Sequence, residues 1–320
     1  MTLISPCIET EYRSLGPMLG PEAENRRLDD FLGKCFPFRS RTEWKALCND
    51  GQVLVNAQKA RATRRLKCGD TLSVYHPQSA EPEVNDELRF IFEDRGILAI
   101  EKPANLPMHE SGFYRRNTLV ALLHRDFGKD WSPVHRLDRE TSGVVICAST
   151  SELRRSLSDA FLARDIAKTY IAILSGTPTW EQISVDRPLS MSTSFAIPHK
   201  QVDDSGEEAR TDFVIIERAQ VGTLVEVRPL SGRGNQIRAH AAWLGHHIIG
   251  DKVYHQDRAV CQAYREHGDT QQVKQSAGHS RHALHAAKIE FAHPKGGKFT
   301  AESPLPADLI HLWQSLGIKS

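Results

Sequence analysis

The sequence predicts an α+β protein: a mixed, mostly antiparallel sheet domain with flanking helices, preceded by a small α/β module. Three observations carry this reading. Strand-like runs outnumber helical ones and do not alternate with them as a parallel fold requires. Charge is unevenly spread: between Arg26 and Tyr75 eleven Lys/Arg stand against five Asp/Glu, an excess of six. A chain of net charge +1 therefore carries −5 elsewhere. Between these parts, His76 to Glu87 is rich in Pro, Ser and Glu and has no period, the composition of a linker. The 320 residues supply ample chain for one large and one small core.

In order along the chain, residues 1–25 read as an irregular lead-in, punctuated by Gly16-Pro17 and Gly20-Pro21. The module at 26–75 opens with Leu28, Phe31 and Leu32 at helical spacing. Ser40 with Glu43 three residues later forms a capping box, predicting a second helix through Trp44, Leu47 and Cys48 that Gly51 ends. Val53–Val55 and Gly69–Val74 read as short strands around a basic stretch from Lys59 to Lys67. Past the linker lies a domain at 88–320. Leu88–Phe92 and Gly96–Ile100 predict a hairpin-like pair, and Leu119–Phe127 a helix capped at Asn117 or Thr118. Val144–Ala148 is a continuous apolar run, the mark of a buried strand. Ser149–Leu162 is helical, with Leu153, Leu157, Phe161 and Leu162 on one stripe. Strands follow at Tyr170–Leu174, Phe213–Glu217, Leu224–Pro229 and Leu284–Phe291, and helices at Asn235–Leu244 and Ala307–Leu316. The polar, Gln/His-rich segment 254–279 reads as an insertion loop with one short helix.

Composition excludes several classes. A 40% hydrophobic and 25% charged chain is an ordinary globular one. No run approaches ~18 apolar residues, so no membrane span is expected. The start lacks a basic region followed by an apolar core, so no secretory signal is read there. Six scattered cysteines without a C-x-x-C pair favour reduced thiols, hence a cytoplasmic protein, and nothing demands more than a monomer. His240, His246, His247, His282 and His285 lack metal-binding spacing, so no metal is expected. The basic block at 26–75 is either a surface that approaches phosphates or a solvated face without a partner.

One stretch concentrates the chemistry: His135-Arg136-Leu137-Asp138-Arg139-Glu140-Thr141-Ser142-Gly143, leading into the apolar strand. A carboxylate flanked by two guanidinium groups stays ionised well below neutral pH. It is then a structural ion pair, or else a nucleophile or electrostatic anchor, and charge pattern alone leaves both open.

The residue order His-Arg-Leu-Asp-x-x-Thr-Ser-Gly resembles the signature loop of the RluA-type pseudouridine synthases, and other motifs follow in the family's order. Glu101-Lys102-Pro103 with His109 resembles the K-P-x-G strand and loop, although Ala104 and Asn105 stand near its glycine. Lys168-Thr169-Tyr170 resembles K-x-Y, and Gly232-Arg233-Gly234-Asn235-Gln236-Ile237-Arg238 resembles G-R-T-H-Q-I-R. Gly245-His246-His247-Ile248-Ile249-Gly250-Asp251 and Arg281-His282-Ala283-Leu284-His285-Ala286 complete a match over about 88–308. Arg27-Leu28-Asp29, Gly51–Asn56 and Gly69-Asp70 resemble an S-four-type RNA-binding module.

The resemblance implies an RNA pseudouridine synthase without cofactor. Asp138 is then the catalytic residue, acting at ribose C1′ or on the 2′ proton, with Arg238 as its cationic partner. Tyr170 packs on the uracil and is placed to take the C5 proton, and Leu284 walls off water. Arg136 fills the space of the extruded base, and Lys168, Arg233 and Asn235 contact substrate. Asn235 departs from the family histidine. Arg39, Arg41, Lys45, Arg61, Arg64, Arg65 and Lys67 would track the phosphates of structured RNA, ribosomal RNA favoured over transfer RNA. The alternatives are a non-catalytic RNA-binding or chaperone protein on the same scaffold, and a glycoside hydrolase using Glu140 as second carboxylate. Lys102 reads equally well as a buried-stem surface lysine.

Overall fold

The computed structural model describes residues 12–14, 18–36, 40–75, 81–111, 114–192 and 199–317. Arg39, most of the lead-in before Met18, and 76–80 of the expected linker lie outside them. The chain divides into two compact units, Met1–Glu81 and Pro82–Ser320.

The first unit runs β1 (Tyr12–Ser14), a 3-10 turn (Pro21–Ala23), α1 (Leu28–Cys35), α2 (Arg41–Asn49), β2 (Val53–Val55), β3 (Gln58–Lys59) and β4 (Leu72–Tyr75). Its sheet order is β1-β4-β2-β3, all antiparallel. Strand β1 falls inside the expected irregular lead-in; three residues borrowed by an existing edge leave no periodic trace. The Ser40–Glu43 capping box is present in both directions. Leu28, Phe31, Leu32, Trp44, Val53, Val55, Leu66 and Leu72 form this unit's own core.

The second unit contains β5 (Arg89–Asp94), β6 (Ile97–Lys102), α3 (Leu119–Phe127), β7 (Ser132–Pro133), β8 (Ser142–Ala148), α4 (Ser151–Ala163) and β9 (Ala167–Ser175). It continues with β10 (Gln182–Asp186), β11 (Leu189–Met191), β12 (Lys200–Val202), β13 (Arg210–Arg218), β14 (Gly222–Pro229) and α5 (Gln236–Trp243). The last elements are α6 (Arg258–His267), α7 (Gln271–Ser276), β15 (Leu284–Ala292), β16 (Lys298–Glu302) and α8 (Ala307–Ser315). The large sheet has the order β10-β13-β14-β9-β15-β8-β6-β5, with β16 on β15 and β7 on β8. Its pairings are antiparallel except β8 with β15.

Strand β8 is buried along its whole length because both faces are covered. Val144 and Ile146 pack with Leu153 and Leu157 of α4, while Val145 and Cys147 pack with Leu119, Leu122 and Leu123 of α3. Alternate residues feed opposite layers. That is why the sequence shows an unbroken apolar run there. Strands β10, β11, β12 and β16 were not expected. Strand β10 alternates Ile183 and Val185 with exposed polar residues, but over five residues that signal is short. The 254–279 segment holds two helices rather than one, each opened by a side-chain cap, Asp257 and Thr270.

Candidate active site

The Asp138 loop enters β8 at the sheet's parallel junction, and Gly143 permits that junction. Its φ is 116°, and a Cβ there would lie 2.2 Å from the Ala286 carbonyl oxygen. Only glycine fits both demands. Next to it, Leu284 lies buried at the start of β15.

Residues of the loop point in different directions. His135 turns inward: its Nε2 accepts the Ile146 N–H at 2.9 Å and its ring lies 5.0 Å from Phe161. Burial drops its pKa to about 3, so the ring is a neutral acceptor. Leu137 is buried in the core with Leu98 and Leu106. Arg136 points out and is exposed. Arg139 turns to Tyr114 and Glu140.

Buried cations pin the backbone behind the loop. Lys102 is not a surface lysine: it is fully buried, and its Nζ donates to the carbonyls of Pro103, Leu106 and Arg139, each at 2.9 Å. Burial, aided by the charge of Arg281, pushes its pKa down. Arg281 donates to the Glu140 carbonyl at 3.1 Å and to Ser142 Oγ at 3.2 Å. The Glu140 carboxylate accepts from Lys252 Nζ at 2.8 Å and from the His282 N–H at 3.0 Å. So occupied, Glu140 is a tether, not a second catalytic carboxylate of the kind a glycosidase needs.

Asp138 itself is held from across the chain. Its Oδ2 accepts from Arg238 Nη1 at 2.9 Å and from Asn235 Nδ2 at 2.9 Å. Arg238 is fixed in turn by Asp251, through Nε at 2.6 Å and Nη2 at 3.0 Å, and lies 5.1 Å from the Tyr254 ring centre. A cation in the first turn of α5 opposes the helix dipole; two carboxylates hold it there. Burial is the largest single influence and disfavours the Asp138 carboxylate, but the charge of Arg238, then that of His282 and the hydrogen bonds from Arg238 and Asn235, together outweigh it, and the pKa is lowered. Asp251 is more deeply buried, and Arg238 still holds it down at about 2.

Asn235, where the expected helix begins, sits at the cap position of α5, but with φ 56° and no side-chain bond to the helix. That left-handed conformation, which Asn tolerates, frees its amide for Asp138.

Asp138, Tyr170, Arg238, Arg136, Leu284, Lys168, Arg233 and Asn235 all line one cavity of about 390 Å³. The Asp138 side chain is 26% exposed within it, and the Arg238 side chain 10%. Lys168 donates to the Ser231 carbonyl at 3.2 Å, and burial lowers its pKa to about 8. Burial first, and Asp138 second, push the Tyr170 phenol up, so it enters the site protonated and takes no proton before giving its own away. Arg164 and Phe161 line the cavity too, and Asp251 buttresses it; the sequence reading gave these no role. Asp251 stood in a quoted motif, and its acidic charge near a mid-helix arginine was a usable signal.

In the first unit Lys45, Arg61 and Lys67 are exposed. Arg41 bonds to Asp29, Arg65 donates to the Asn25 carbonyl at 2.6 Å, and Arg64 lies 4.0 Å from Asp70. The buried histidines satisfy hydroxyls and carbonyls: His240 meets Thr211 and Arg187, and His285 meets Ser142 and Ser303. Among the described residues no group of three or more His, Cys, Asp or Glu is arranged to hold a metal ion. No described helix is long and apolar enough to cross a membrane.

Residues 96–243 match the RNA pseudouridylate synthase family model. A ribosomal large subunit pseudouridine synthase D of Xanthomonas campestris pv. campestris is 33% identical over 303 residues, 92% of this chain and 90% of that protein. A mitochondrial tRNA pseudouridine(32) synthase of Saccharomyces cerevisiae is 30% identical over 237 residues, 73% of this chain and 51% of that protein. The solved structure of human RNA pseudouridylate synthase domain containing 4 superposes with a TM-score of 0.56 at 22% identity, covering 72% of this chain and 94% of that one. That likeness supports the fold. The relatives show more: the chain belongs to the RNA pseudouridine synthases, isomerases that act on RNA.

Proposed function

We propose that the chain isomerises uridines in structured RNA, large-subunit ribosomal RNA foremost, with Asp138 as its catalytic residue. One observation carries this: an ionised carboxylate, clamped by Arg238 and Asn235, faces a cleft lined by further cations. Conversion to pseudouridine breaks the C1′–N1 bond and forms C1′–C5. The C5 proton leaves and N1 gains one, so no redox partner is required. Positive charge develops on the ribose as the bond breaks, and a fixed anion beside C1′ stabilises it. Asp138 supplies that anion, by attack on C1′ or by drawing the 2′ proton. Arg238 keeps it ionised and aimed, with Asn235 in the place of the family histidine.

Tyr170 packs on the detached uracil, and its phenol passes the C5 proton onward in a concerted exchange. Leu284 excludes water from the sugar. Arg136, exposed at the cavity rim, fills the gap left by the extruded base, stacking where a guanidinium plane can. Lys168 and Arg233 contact substrate. Residues 26–75 serve as an S-four-type RNA-binding module, 76–87 as linker and 88–320 as catalytic domain. Exposed Lys45, Arg61 and Lys67 track phosphates, with Arg39, Arg41, Arg64 and Arg65 beside them. The ribosomal preference is supported by the name of the Xanthomonas relative. The protein acts as a cytoplasmic monomer without metal or cofactor.

The test is incubation with ribosomal RNA tritiated at uridine C5. Wild type releases tritium, and Asp138→Asn binds the RNA but releases none. Binding without release by wild type sinks the reading in favour of a chaperone. Free uracil among the products points to hydrolysis, and faster release from transfer RNA reverses the substrate preference.

A further inference from the structure

At the cavity rim lies a charge cluster that chemistry at Asp138 does not use. Helix α4 ends on Arg164, whose φ of 66° lies in the left-handed region that favours glycine. An arginine in that place keeps a long cationic side chain where a glycine would terminate the helix more readily. The side chain lines the cavity, and its Nη2 lies 3.6 Å from Glu208 Oε2. Arg233, from the loop between β14 and α5, reaches the same residue, donating through Nε to the Glu208 carbonyl at 3.2 Å. Its Nη1 lies 3.6 Å from Glu207 Oε1, and Glu207 also accepts from Lys200 at 2.8 Å.

Two guanidinium groups thus meet at one residue, Arg164 beside its carboxylate and Arg233 at its backbone carbonyl, while the charge of Arg233 is answered by Glu207. The anion present is a weak tenant. Glu208's side chain is 87% exposed and its oxygen stands beyond hydrogen-bond length from Arg164. Exposed pairs of this kind contribute little and are exchanged readily. A phosphodiester carries the same charge and offers guanidinium groups two acceptor oxygens in a matching fork. A uridine whose ribose sits at Asp138 brings such phosphates with it on either side.

We propose that Arg164 and Arg233 form a phosphodiester subsite for the strand carrying the target uridine, and that Glu208, with Glu207 beside it, occupies that subsite until RNA displaces it. This rests on the RNA-modifying reading of the cleft. Glu208 then lowers affinity for every RNA and sets a threshold that weakly held strands do not pass.

The full-length protein and the same ribosomal RNA test it, with affinity measured across salt from about 50 to 200 mM. Glu208→Gln should tighten binding roughly two- to fivefold at low salt, with the gain fading as salt rises. Arg164→Gln should weaken binding and reduce the slope of log affinity against log salt by about 0.7 to 0.9, one phosphate's worth. In the Arg164→Gln background, Glu208→Gln should gain less than it does alone. Both substituted side chains are exposed, so the variants fold. Unchanged or weakened binding by Glu208→Gln overturns the displacement, and an unchanged salt slope in Arg164→Gln overturns the subsite. Both readouts are affinities, so they remain decisive even where wild type forms no pseudouridine, the result that would instead defeat the catalytic reading.

Discussion

Two arginine–aspartate clusters, one in each unit, use the same chemistry to opposite ends. In the first unit Asp29 is the buried member, 2% exposed, held by Arg27 and by Arg41, whose side chain is 56% exposed. In the second unit the shared member is the cation: Arg238 is gripped by fully buried Asp251 and by Asp138, whose side chain still reaches the cavity. Two cations around one carboxylate neutralise it and leave it a structural pin, where it also accepts the Asp30 N–H at 3.0 Å. Two carboxylates around one cation leave an anion to spare, and the spare one faces the cleft. The lesson is that the exposed member of an ion cluster is the one available for chemistry.

The largest expected contrast comes from the same substitution at both carboxylates. Asp138→Asn should lower kcat by at least about a thousandfold, with little change in melting temperature because Asp251 still holds Arg238. Asp29→Asn should leave kcat within about twofold and lower the stability of the first unit by about 1–2 kcal/mol, the cost of loosening a buried hydrogen-bonded acceptor. A variant pair in which both lose activity, or neither does, erases the distinction.

Next in size is Asp251→Asn, which leaves the buried guanidinium with one carboxylate. Losing a partner from a buried pair costs about 3–5 kcal/mol. Denaturant unfolding should show it, and kcat should fall as Asp138 loses its fixed neighbour. Stability unchanged from wild type would mean that Asp138 alone suffices to hold Arg238.

Smaller effects concern pH. Asp138's depressed pKa means that its carboxylate is ionised throughout the neutral range, so kcat should not fall until the medium is more acidic than an ordinary aspartate requires. On the alkaline side Lys168, lowered by burial to about 8, loses its charge as pH rises through that value. RNA affinity should decline there, and Lys168→Arg should abolish the decline. The sign for stability is opposite: the unfolded chain keeps the Lys168 proton to higher pH, so this group adds stability as pH rises between about 8 and the ordinary lysine value. Equal affinity at pH 7 and pH 9 would remove Lys168 from the RNA contact.

Much of the site was legible because its residues sit in contiguous motifs. His135 to Gly143 carries in one line an inward histidine, an apolar anchor, a carboxylate and the one residue type that tolerates β15 at van der Waals range. Two capped helices were legible too, since Ser40–Glu43 and Thr118 act within three residues of themselves. The edge strand β10 was not. Residues 182–186 do alternate, Ile183 and Val185 against polar neighbours, but the run is only five residues long and is ordered by hydrogen bonds to β13. The role of Asn235 was hidden for a related reason. A cap position predicts a local bond, and a left-handed backbone angle instead turned the amide toward a residue 97 positions away.

By itself the sequence pointed to the family, because its motifs lie in short contiguous runs, and it singled out Asp138 as the carboxylate proposed to act. Only the tertiary structure decided what holds that carboxylate. Its neighbours Arg136 and Arg139 look like its partners in the linear order, yet successive side chains in a turn diverge, and these two leave for the rim and for Glu140. The cation that meets Asp138 lies 100 residues further on. It is brought there because α5 packs on the same sheet, Ile237 and Ala241 sharing a core with Phe213, Val225 and Val227, and because a buried aspartate fixes its guanidinium in an orientation that leaves Nη1 to turn toward the loop.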